Sequence, residues 1–272
     1  MTPAPLPEAT PLGCEAPSLA SPLVRRLDWQ AARAWPPSAA ERHHGWILRR
    51  NDGEFHRANS VLARHVWPGL DVDSAITAVE ARYRAAGLPP TYQISPASRP
   101  PTLDERLAER GYHVDDPVHI LVRDLAGLRA ALPSGNDHVR VETVDQASAF
   151  WLDTCWPDSK SPRRCQNGAR LLHRIRPPKL FLTAWRGDVP CATGLIVAER
   201  GWAGFFCMRT APEVRRQGLA RVILAAAAAG AAAMGSAHCY LQVEAANQPA
   251  IALYAEAGFT RAYGYHYRVL GR

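Results

Sequence analysis

The sequence RRQGLA occupies residues 215–220, between an apolar run at 202–208 and an alanine-rich stretch at 222–233. Pro212 marks a turn before the arginines, so this order predicts a strand, a loop and the start of a long helix. The first N–H groups of a helix have no intrahelical partner, and Gly218 has no side chain that would keep an anion from approaching them. Three arginines add positive charge at the same place: Arg215, Arg216 and Arg221. The junction is suited to an anionic group, although a plain strand-to-helix turn with solvated arginines explains it equally well.

A second motif follows one further predicted strand, at 241–244. Asn247 is a preferred residue type at a helix N-cap, and Gly258 is typical of the position just after a helix end. Asn247 and Tyr254 are seven residues apart, which places them two helical turns apart on nearly one face. Both side chains are therefore expected to face one ligand.

Together these motifs resemble the signatures of the GNAT superfamily of N-acetyltransferases. The first, R-x-x-G-x-A at 215–220, is similar to the superfamily's pyrophosphate loop, and the second is N-x-x-A-x-x-L-Y-x-x-x-G-F at 247–259. The resemblance covers residues 137–272 and, weakly, the half before them. It implies an α+β protein with a central mixed sheet flanked by helices. It also implies an acyltransferase that moves an acetyl group from acetyl-CoA to a primary amine by direct transfer in a ternary complex.

The resemblance further implies roles for single residues. The backbone at Met208 and Thr210 would pair with the pantetheine arm of the cofactor like an added strand, and Asn247 would hydrogen-bond the same arm. Tyr254 would protonate the departing thiolate as a general acid. The N–H groups from Arg216 to Ala220 would hold the pyrophosphate. The implied cofactor-binding residues are Met208, Thr210, Arg215, Arg216, Gln217, Gly218, Leu219, Ala220, Asn247 and Tyr254.

The general base is where the chain departs from superfamily members that acetylate protein N-termini. Those proteins carry a glutamate five residues before the asparagine, where this chain has Gln242, which cannot accept a proton. Glu244 lies two residues further, on the same face of the predicted strand, and is the candidate base, directly or through water. A solvated or capping role for Glu244, and loss of the amine proton to a water chain, stay open as alternatives.

An internal repeat indicates a second copy in the first half. Residues 102–112 and 252–259 both have the form helix, Ala-Glu-x-Gly-aromatic, strand, with Leu107 in the place of Tyr254. No R-x-x-G-x-A loop precedes the first-half helix, and the acids at 71–73 would repel a pyrophosphate. We therefore predict two tandem GNAT-like units, of which the first has lost cofactor binding and closes the sheet or walls the acceptor pocket.

The predicted organisation of the 272 residues has four parts. Residues 1–23 form a flexible arm rich in proline and alanine, 24–124 a degenerate GNAT-like domain, 125–136 a linker, and 137–272 the catalytic domain. Residues 1–21 lack the basic and apolar regions of a signal peptide. The alanine-rich helix is too short to cross a membrane, which takes about 20 apolar residues. We expect a cytoplasmic protein with no membrane association.

Several shorter features complete the predictions. Asp52-Gly53 between two apolar alternations, 45–50 and 54–62, predicts a hairpin. The polar cluster at 57–60 is read either as a substrate contact or, more simply, as capping and sheet-edge hydrogen bonding. The basic segment 157–179 borders the acceptor site in the superfamily, although a solvated helix face is the commoner meaning of such charge. On the terminal strand, Tyr265 or His266 is a candidate contact for the amine.

The composition excludes few classes of function. The net charge of +7 suits a CoA-binding mouth but also follows from a composition richer in arginine than in lysine, and no nucleic-acid-binding motif accompanies it. The six cysteines have no C-x-x-C spacing, so we expect neither a zinc site, nor any other metal site, nor a disulfide framework. A non-catalytic acyl-CoA sensor and a nucleic-acid-associated protein remain rival classes. The acceptor, and whether the chain forms a homodimer, are left open.

Overall fold

The computed structural model describes residues 22–132, 138–156 and 162–271 of the chain. It contains both helices and strands, as expected for an α+β protein. The helices are α1 (Pro22–Ala34), α2 (Val72–Ala85), α3 (Leu103–Glu109), α4 (Leu125–Ala131), α5 (Ala149–Cys155), α6 (Pro162–His173), α7 (Leu219–Ala233) and α8 (Gln248–Glu256). The strands are β1 (Ala39–His43), β2 (Trp46–Arg50), β3 (Val61–Leu62), β4 (Thr91–Ile94), β5 (His113–Asp124), β6 (Arg140–Val144), β7 (Lys179–Arg186), β8 (Val189–Glu199), β9 (Trp202–Thr210), β10 (His238–Glu244) and β11 (Thr260–Val269).

The chain divides into two compact units. The N-terminal unit holds the described residues of 22–120 together with 244–246 and 262–271, and therefore most of β11. Its strands lie in the order β1-β2-β3-β4-β11-β5, with β3 and β4 parallel and β11 antiparallel to β4. One face of this sheet packs on α2 and α3 through a buried apolar cluster that includes Trp46, Tyr83, Tyr92 and Leu107.

The C-terminal unit holds the described residues of 121–243 and 247–261. Its strands lie in the order β10-β9-β8-β7-β6, antiparallel except for the parallel pair β9 and β10. The alanine-rich helix α7 packs on this sheet within one buried cluster. A Cβ atom on Gly230 would lie only 2.8 Å from Ile196 Cδ1, so the small residues of α7 are what let it approach the strands so closely.

The internal repeat is present in the structure. The order β3-α2-β4-α3-β5 matches β9-α7-β10-α8-β11, and each copy contains one parallel strand pair joined through a helix. Helices α3 and α8 end in the same way. The N–H of Tyr112 bonds to Leu107 O at 3.0 Å after α3, and the N–H of Phe259 bonds to Tyr254 O at 2.9 Å after α8. In each copy this Schellman end needs a residue with positive φ, which Gly111 (83°) and Gly258 (77°) supply. The predicted tandem arrangement of two GNAT-like units is confirmed.

The prediction of a tight hairpin turn at Asp52-Gly53 is wrong. Strand β2 does pair with β3, but a loop of ten residues, 51–60, containing one 3₁₀ turn at His56–Ala58, connects them. The two-residue hairpin turn lies one strand earlier, at His44-Gly45, between His43 and its partner Trp46. Both turn residues have positive φ, 50° and 90°. A histidine adopts this conformation less readily than asparagine or aspartate, which hid the turn from sequence analysis.

Two of the predicted segments connect or precede the domains. The stretch assigned to a linker, 125–136, contains helix α4, whose Leu125 and Leu128 are buried in the core of the C-terminal unit. The predicted flexible arm, through residue 21, lies outside the described residues. Within the ranges that the structure describes, no helix is both long enough and apolar enough to cross a membrane.

Candidate active site

The parallel strands β9 and β10 separate toward their carboxyl ends. Their pairing runs from His238↔Trp202 to Leu241↔Phe205 and stops there, although β9 continues to Thr210 and β10 to Glu244. The N–H of Ala211 bonds to Cys191 O on β8 at 2.8 Å. Because successive peptide groups of a strand point to opposite edges, the N–H and C=O groups of Thr210 and the C=O group of Met208 point away from β8.

A β-bulge on β9 lies beside this opening. Leu195 pairs with Phe206 and Thr193 with Arg209, so two residues, Cys207 and Met208, stand opposite Gly194 alone. Cys207 has a positive φ of 51°, and Thr193 Oγ1 donates to its carbonyl at 3.1 Å. Bulges bend a strand and redirect its side chains, and they are frequent next to active sites.

Helix α7 begins where the opening ends. Its N-cap is Gly218, with φ of 77° and no side-chain capping bond, and the N–H groups of Arg221 and Val222 are the first to bond back to the Gly218 carbonyl, at 3.0 and 3.2 Å. Arg216 also has a positive φ, 62°. A Cβ atom on Gly218 would have no heavy atom within 4 Å, so the space before the helix is open. The exposed N-terminus thus presents N–H groups and the positive end of the helix dipole to an anion.

The arginines around this N-terminus have different surroundings. Arg215 and Arg216 are exposed, and Arg215 Nε reaches the Thr210 carbonyl at 3.5 Å. Arg221 instead pairs with Glu256 of α8 at 3.1 Å. Arg186, the last residue of β7, donates to Gln217 Oε1 at 2.6 Å, a contact that sequence analysis missed. Of the remaining motif residues, Leu219 is buried in the core and Ala220 is half-buried, so both offer the backbone rather than the side chain to a ligand.

Asn247 and Tyr254 lie at the two ends of α8. Asn247 is the N-cap, and its Oδ1 accepts from the N–H of Ala250 at 3.3 Å, as the sequence predicts. It is exposed, whereas Tyr254 is only 7% exposed and packs edge-on against the Phe259 ring at 5.7 Å. Burial raises the pKa of Tyr254 to about 12, because the phenolate would lose its hydration. Its hydroxyl is therefore a neutral donor at physiological pH.

The residues considered for the general base lie at the end of β10. Gln242 is half-buried, and Glu244 is the exposed last residue of the strand. Glu244 belongs to the N-terminal unit by its contacts, while Gln242 belongs to the C-terminal unit. The role of Glu244 as a base, directly or through water, stays a prediction.

The other candidate contacts have structural partners. In the cluster 57–60, Asn59 Oδ1 accepts from the N–H of Asn51 at 2.7 Å and Ser60 Oγ donates to His56 O at 2.7 Å, which agrees with the simpler interpretation of local hydrogen bonding. His266 lies 2.9 Å from Asp104 of α3, and Tyr265 is buried. Part of the basic segment forms α6, where Arg163, Arg164 and Arg170 are exposed, and Lys160 lies outside the described residues.

The prediction of no metal site stays a prediction. Among the described residues, His56, Asp115 and Asp116 bring three potential ligand atoms within 4.8 Å of one another, but all three side chains are partly exposed. The described cysteines are free thiols, two of which, Cys155 and Cys207, lie within hydrogen-bonding distance of each other.

Comparison with known proteins agrees with this geometry. A parallel strand pair that separates before an uncapped helix N-terminus, in a chain with two copies of the same strand and helix order, defines a tandem protein of the GNAT fold. The family model described as "Probable histone acetyltransferase Rv0428c C-terminal" matches residues 22–268, and the chain belongs to this family. It is therefore an acyltransferase of the GNAT type.

Three relatives span nearly the whole chain. It is 28% identical to the "Uncharacterized N-acetyltransferase YobR" of Bacillus subtilis over 251 residues, 90% of this chain and 98% of that protein. A GCN5-related N-acetyltransferase from Kribbella flavida has a similar structure, with a TM-score of 0.67, 17% identity and coverage of 93% of this chain and 98% of that one. A tandem GNAT protein from the clavulanic acid biosynthesis pathway has a TM-score of 0.63, 12% identity and coverage of 93% and 96%. At these identities the two structures support the fold.

Proposed function

We propose that the C-terminal unit transfers an acetyl group from acetyl-CoA to a primary amine, directly and within a ternary complex. The observation that carries the proposal is the separation of β9 from β10 just before the uncapped N-terminus of α7. The free edge of β9 at Met208 and Thr210 suits the amide groups of a pantetheine arm, which can add to it as a strand would. Asn247 supports the same arm with its Nδ2 donor, since its Oδ1 caps α8.

The pyrophosphate has a matching site at the start of α7. The N–H groups from Arg216 to Ala220 converge there, and the positive φ of Arg216 and Gly218 curls the backbone into a concave donor surface. The helix dipole and the exposed Arg215 and Arg216 side chains add positive charge. The first copy lacks this arrangement, because the Asp71 side chain caps α2 by accepting from the N–H of Asp73 at 3.1 Å. A carboxylate at that position excludes a second anion, so only the second copy binds the cofactor.

The transfer needs alignment more than covalent chemistry. The amine nitrogen attacks the acetyl carbonyl carbon, the C–S bond breaks with its electron pair leaving on sulfur, and the nitrogen loses one proton to Glu244 or to water. Polarisation of the carbonyl by a strand N–H and correct alignment of the two substrates lower the barrier. Cys207 is not assigned as a nucleophile, because its thiol lies against Cys155.

Tyr254 acts on the sulfur as it departs. A thiol titrates near pH 8.5, roughly 3.5 units below the pKa of about 12 for Tyr254, so complete proton transfer to the thiolate is unfavourable by roughly 5 kcal/mol. The neutral hydroxyl is better suited to stabilise the developing thiolate as a hydrogen-bond donor. The final proton on CoA then comes from Tyr254 or from solvent.

A thiol-release assay with a panel of amines tests the proposal. The panel should hold a lysine-containing histone-tail peptide, because of the family's description, together with a free peptide N-terminus, a polyamine and amino acids. We expect thiol release with at least one amine and a fall in kcat on the order of 10² in Tyr254→Phe, with the Kd for acetyl-CoA within about threefold of wild type. Binding of acetyl-CoA without any turnover would favour a sensor, and no binding would contradict the donor assignment.

A further inference from the structure

The sheet of the N-terminal unit has a second face, which is buried and yet polar. Trp46 and Leu48 of β2 point into the apolar core, so Arg49, the residue after Leu48, points to the opposite face. The same face continues from β4 to β11, because Gln93 of β4 pairs directly with Tyr267 of β11. Its buried polar side chains are Arg49, Ser60, Gln93, Ser95, Tyr263, Tyr265 and Tyr267. A face of this composition, shielded from water, is unusual for a sheet whose only task is structural.

Arg49 is the centre of this face. It is only 3% exposed, and within the described residues its guanidinium bonds to neutral groups: Nε donates to Ser60 O at 2.9 Å, and Nη2 donates to Ser60 Oγ and Gln93 Oε1, both at 2.8 Å. Throughout the described residues, no carboxylate lies within 4.0 Å of its nitrogens. The remaining nitrogen, Nη1, has no hydrogen-bond partner among the described residues, and it is accessible to solvent. Two N–H donors of a buried cation are therefore open.

The buried carboxylate nearest in effect to Arg49, that of Asp28, already accepts hydrogen bonds from other side chains. Asp28 of α1 accepts from Ser95 Oγ at 2.5 Å and from the Tyr263 hydroxyl at 2.7 Å, one on each oxygen. Burial lowers the pKa of Arg49 and raises the pKa of Asp28, so for both groups the loss of hydration outweighs their mutual attraction. Arg49 thus carries a desolvated positive charge that no side chain neutralises at contact distance, and a bound anion would compensate it.

The walls beside Arg49 are tyrosine rings. Tyr267 and Tyr265 lie close enough for their hydroxyls to act electrostatically on the guanidinium, and their rings contact each other edge-on at 5.6 Å. The Tyr267 ring also contacts His56 at 5.1 Å. Aromatic walls next to a cation favour a flat or apolar body attached to a negative group.

We propose that this face is a second binding site, in which Arg49 holds the carboxylate of a small molecule with an aromatic or apolar body. The open Nη1 can donate an N–H to one oxygen of a carboxylate group. A single buried positive charge balances one negative charge, whereas a phosphate dianion would leave an uncompensated charge behind. The proposal goes beyond acetyl transfer, because the site belongs to the N-terminal unit and does not depend on acetyl-CoA.

Calorimetric titration of the full chain with benzoate, and with benzamide as its uncharged isostere, tests the proposal. We expect saturable binding of benzoate, at least tenfold tighter than benzamide, and its loss in Arg49→Met. Gln93→Glu should weaken benzoate at least tenfold, because the new carboxylate would lie where Oε1 now accepts from Nη2 and would neutralise the charge internally. Arg50→Met is the matched control, because Arg50 is adjacent to Arg49 in the chain but is half-exposed and pairs with Glu41 at 3.6 Å.

Each remaining outcome is decisive. Benzoate binding that persists in a folded Gln93→Glu variant, equal affinity for benzoate and benzamide, tighter binding of inorganic phosphate, or no binding of benzoate to the wild type would each overturn the proposal. If Arg49→Met does not fold, Gln93→Glu decides alone, because it retains Arg49 and changes one atom type. Gly218→Glu should still bind benzoate, which separates this site from failure of the cofactor assignment.

Discussion

Tyr254 is a residue whose burial fixes its chemistry, and this gives a prediction on pH dependence. With a pKa of about 12, the phenol stays protonated throughout the range in which the enzyme can be assayed. We expect Tyr254→Phe to lower kcat at every pH by a similar factor, without moving either limb of the pH profile, because neither limb reports this group. A kcat–pH series on both proteins measures it. Loss of the alkaline limb in the variant would show that Tyr254 titrates within the assay range.

Gly258 and Gly111 hold equivalent positions in the two copies but differ in their surroundings. A Cβ atom on Gly258 would collide with the Arg123 guanidinium, which donates to the Gly258 carbonyl at 2.6 Å, whereas nothing lies within 4 Å of one on Gly111. We expect Gly111→Ala to cost only the positive-φ strain, about 1 kcal/mol in the free energy of unfolding. Gly258→Ala should cost about 2–4 kcal/mol, since it also disrupts a charged hydrogen bond.

Thermal and urea unfolding of the two glycine variants measure this difference. Equal losses would show that Arg123 moves aside at no cost. The comparison needs no assumption about activity, because it concerns only how the two helix ends are held.

Arg49 shows the limit of sequence analysis at the scale of one residue. Arg49 and Arg50 are adjacent and chemically identical, yet one is 3% exposed and the other is half-exposed in an ion pair. Only the pairing of β2 with β3 and β4 determines which arginine faces the interior. By contrast, Asn247 as an N-cap and Gly258 just after a helix end were predicted correctly in their structural roles, because local backbone geometry favours those residue types.

At the scale of elements, one ion-paired group ties α3 to β11. Asp104 of α3 accepts from Arg268 Nε at 2.7 Å and lies 2.9 Å from His266 Nε2. Burial alone would raise the pKa of Asp104, but these two partners lower it below its ordinary value. A depressed carboxylate pKa stabilises the fold above the unfolded pKa near 4, and that stability is lost as the pH falls through the folded value.

Asp104→Asn should therefore lower the free energy of unfolding at pH 7 by about 1 kcal/mol, a value reduced because the side chain is 36% exposed. The difference from wild type should shrink as the pH falls below the unfolded pKa near 4. Asp73→Asn is the control: its ion pair with Arg106 is shorter, 2.6 Å, but both side chains are more exposed, so we expect a change below about 0.5 kcal/mol. Unfolding curves between acidic and neutral pH measure both. A difference for Asp104→Asn that does not change with pH would contradict the electrostatic account.

The sequence predicted most elements that carry local signals and missed those that depend on tertiary contacts. Helices α7 and α8 followed from the turn, the capping residue and the residue typical of a helix end. Helix α4 was missed because its buried Leu125 and Leu128 sit in a short segment that precedes a proline- and glycine-containing stretch. The separation of β9 from β10 could not be predicted at all, since it depends on where pairing ends and not on either strand alone.

At the scale of the whole molecule, most of the C-terminal strand β11 belongs to the N-terminal unit. From residue 262 onward, β11 lies in the N-terminal unit, where Val269 pairs with Thr91 and Tyr263 bonds to the buried Asp28. We expect truncation after residue 261 to unfold the N-terminal unit, because β4 would lose one of its two partner strands and Asp28 would lose a hydrogen-bond donor. Limited proteolysis should then cleave within residues 22–120. Protease resistance equal to that of the full chain would contradict this dependence.

The most direct test of the central claim is whether the N-terminus of α7 binds acetyl-CoA. Gly218 and Gly235 flank the same helix, share a φ of 77°, and would each place a Cβ atom in open space. Glutamate at either position introduces the same strain and charge, but only Gly218→Glu puts a carboxylate where the pyrophosphate would bind. Calorimetric titration should show loss of acetyl-CoA binding in Gly218→Glu and near wild-type affinity in Gly235→Glu. Equal affinities in the two variants would contradict the account.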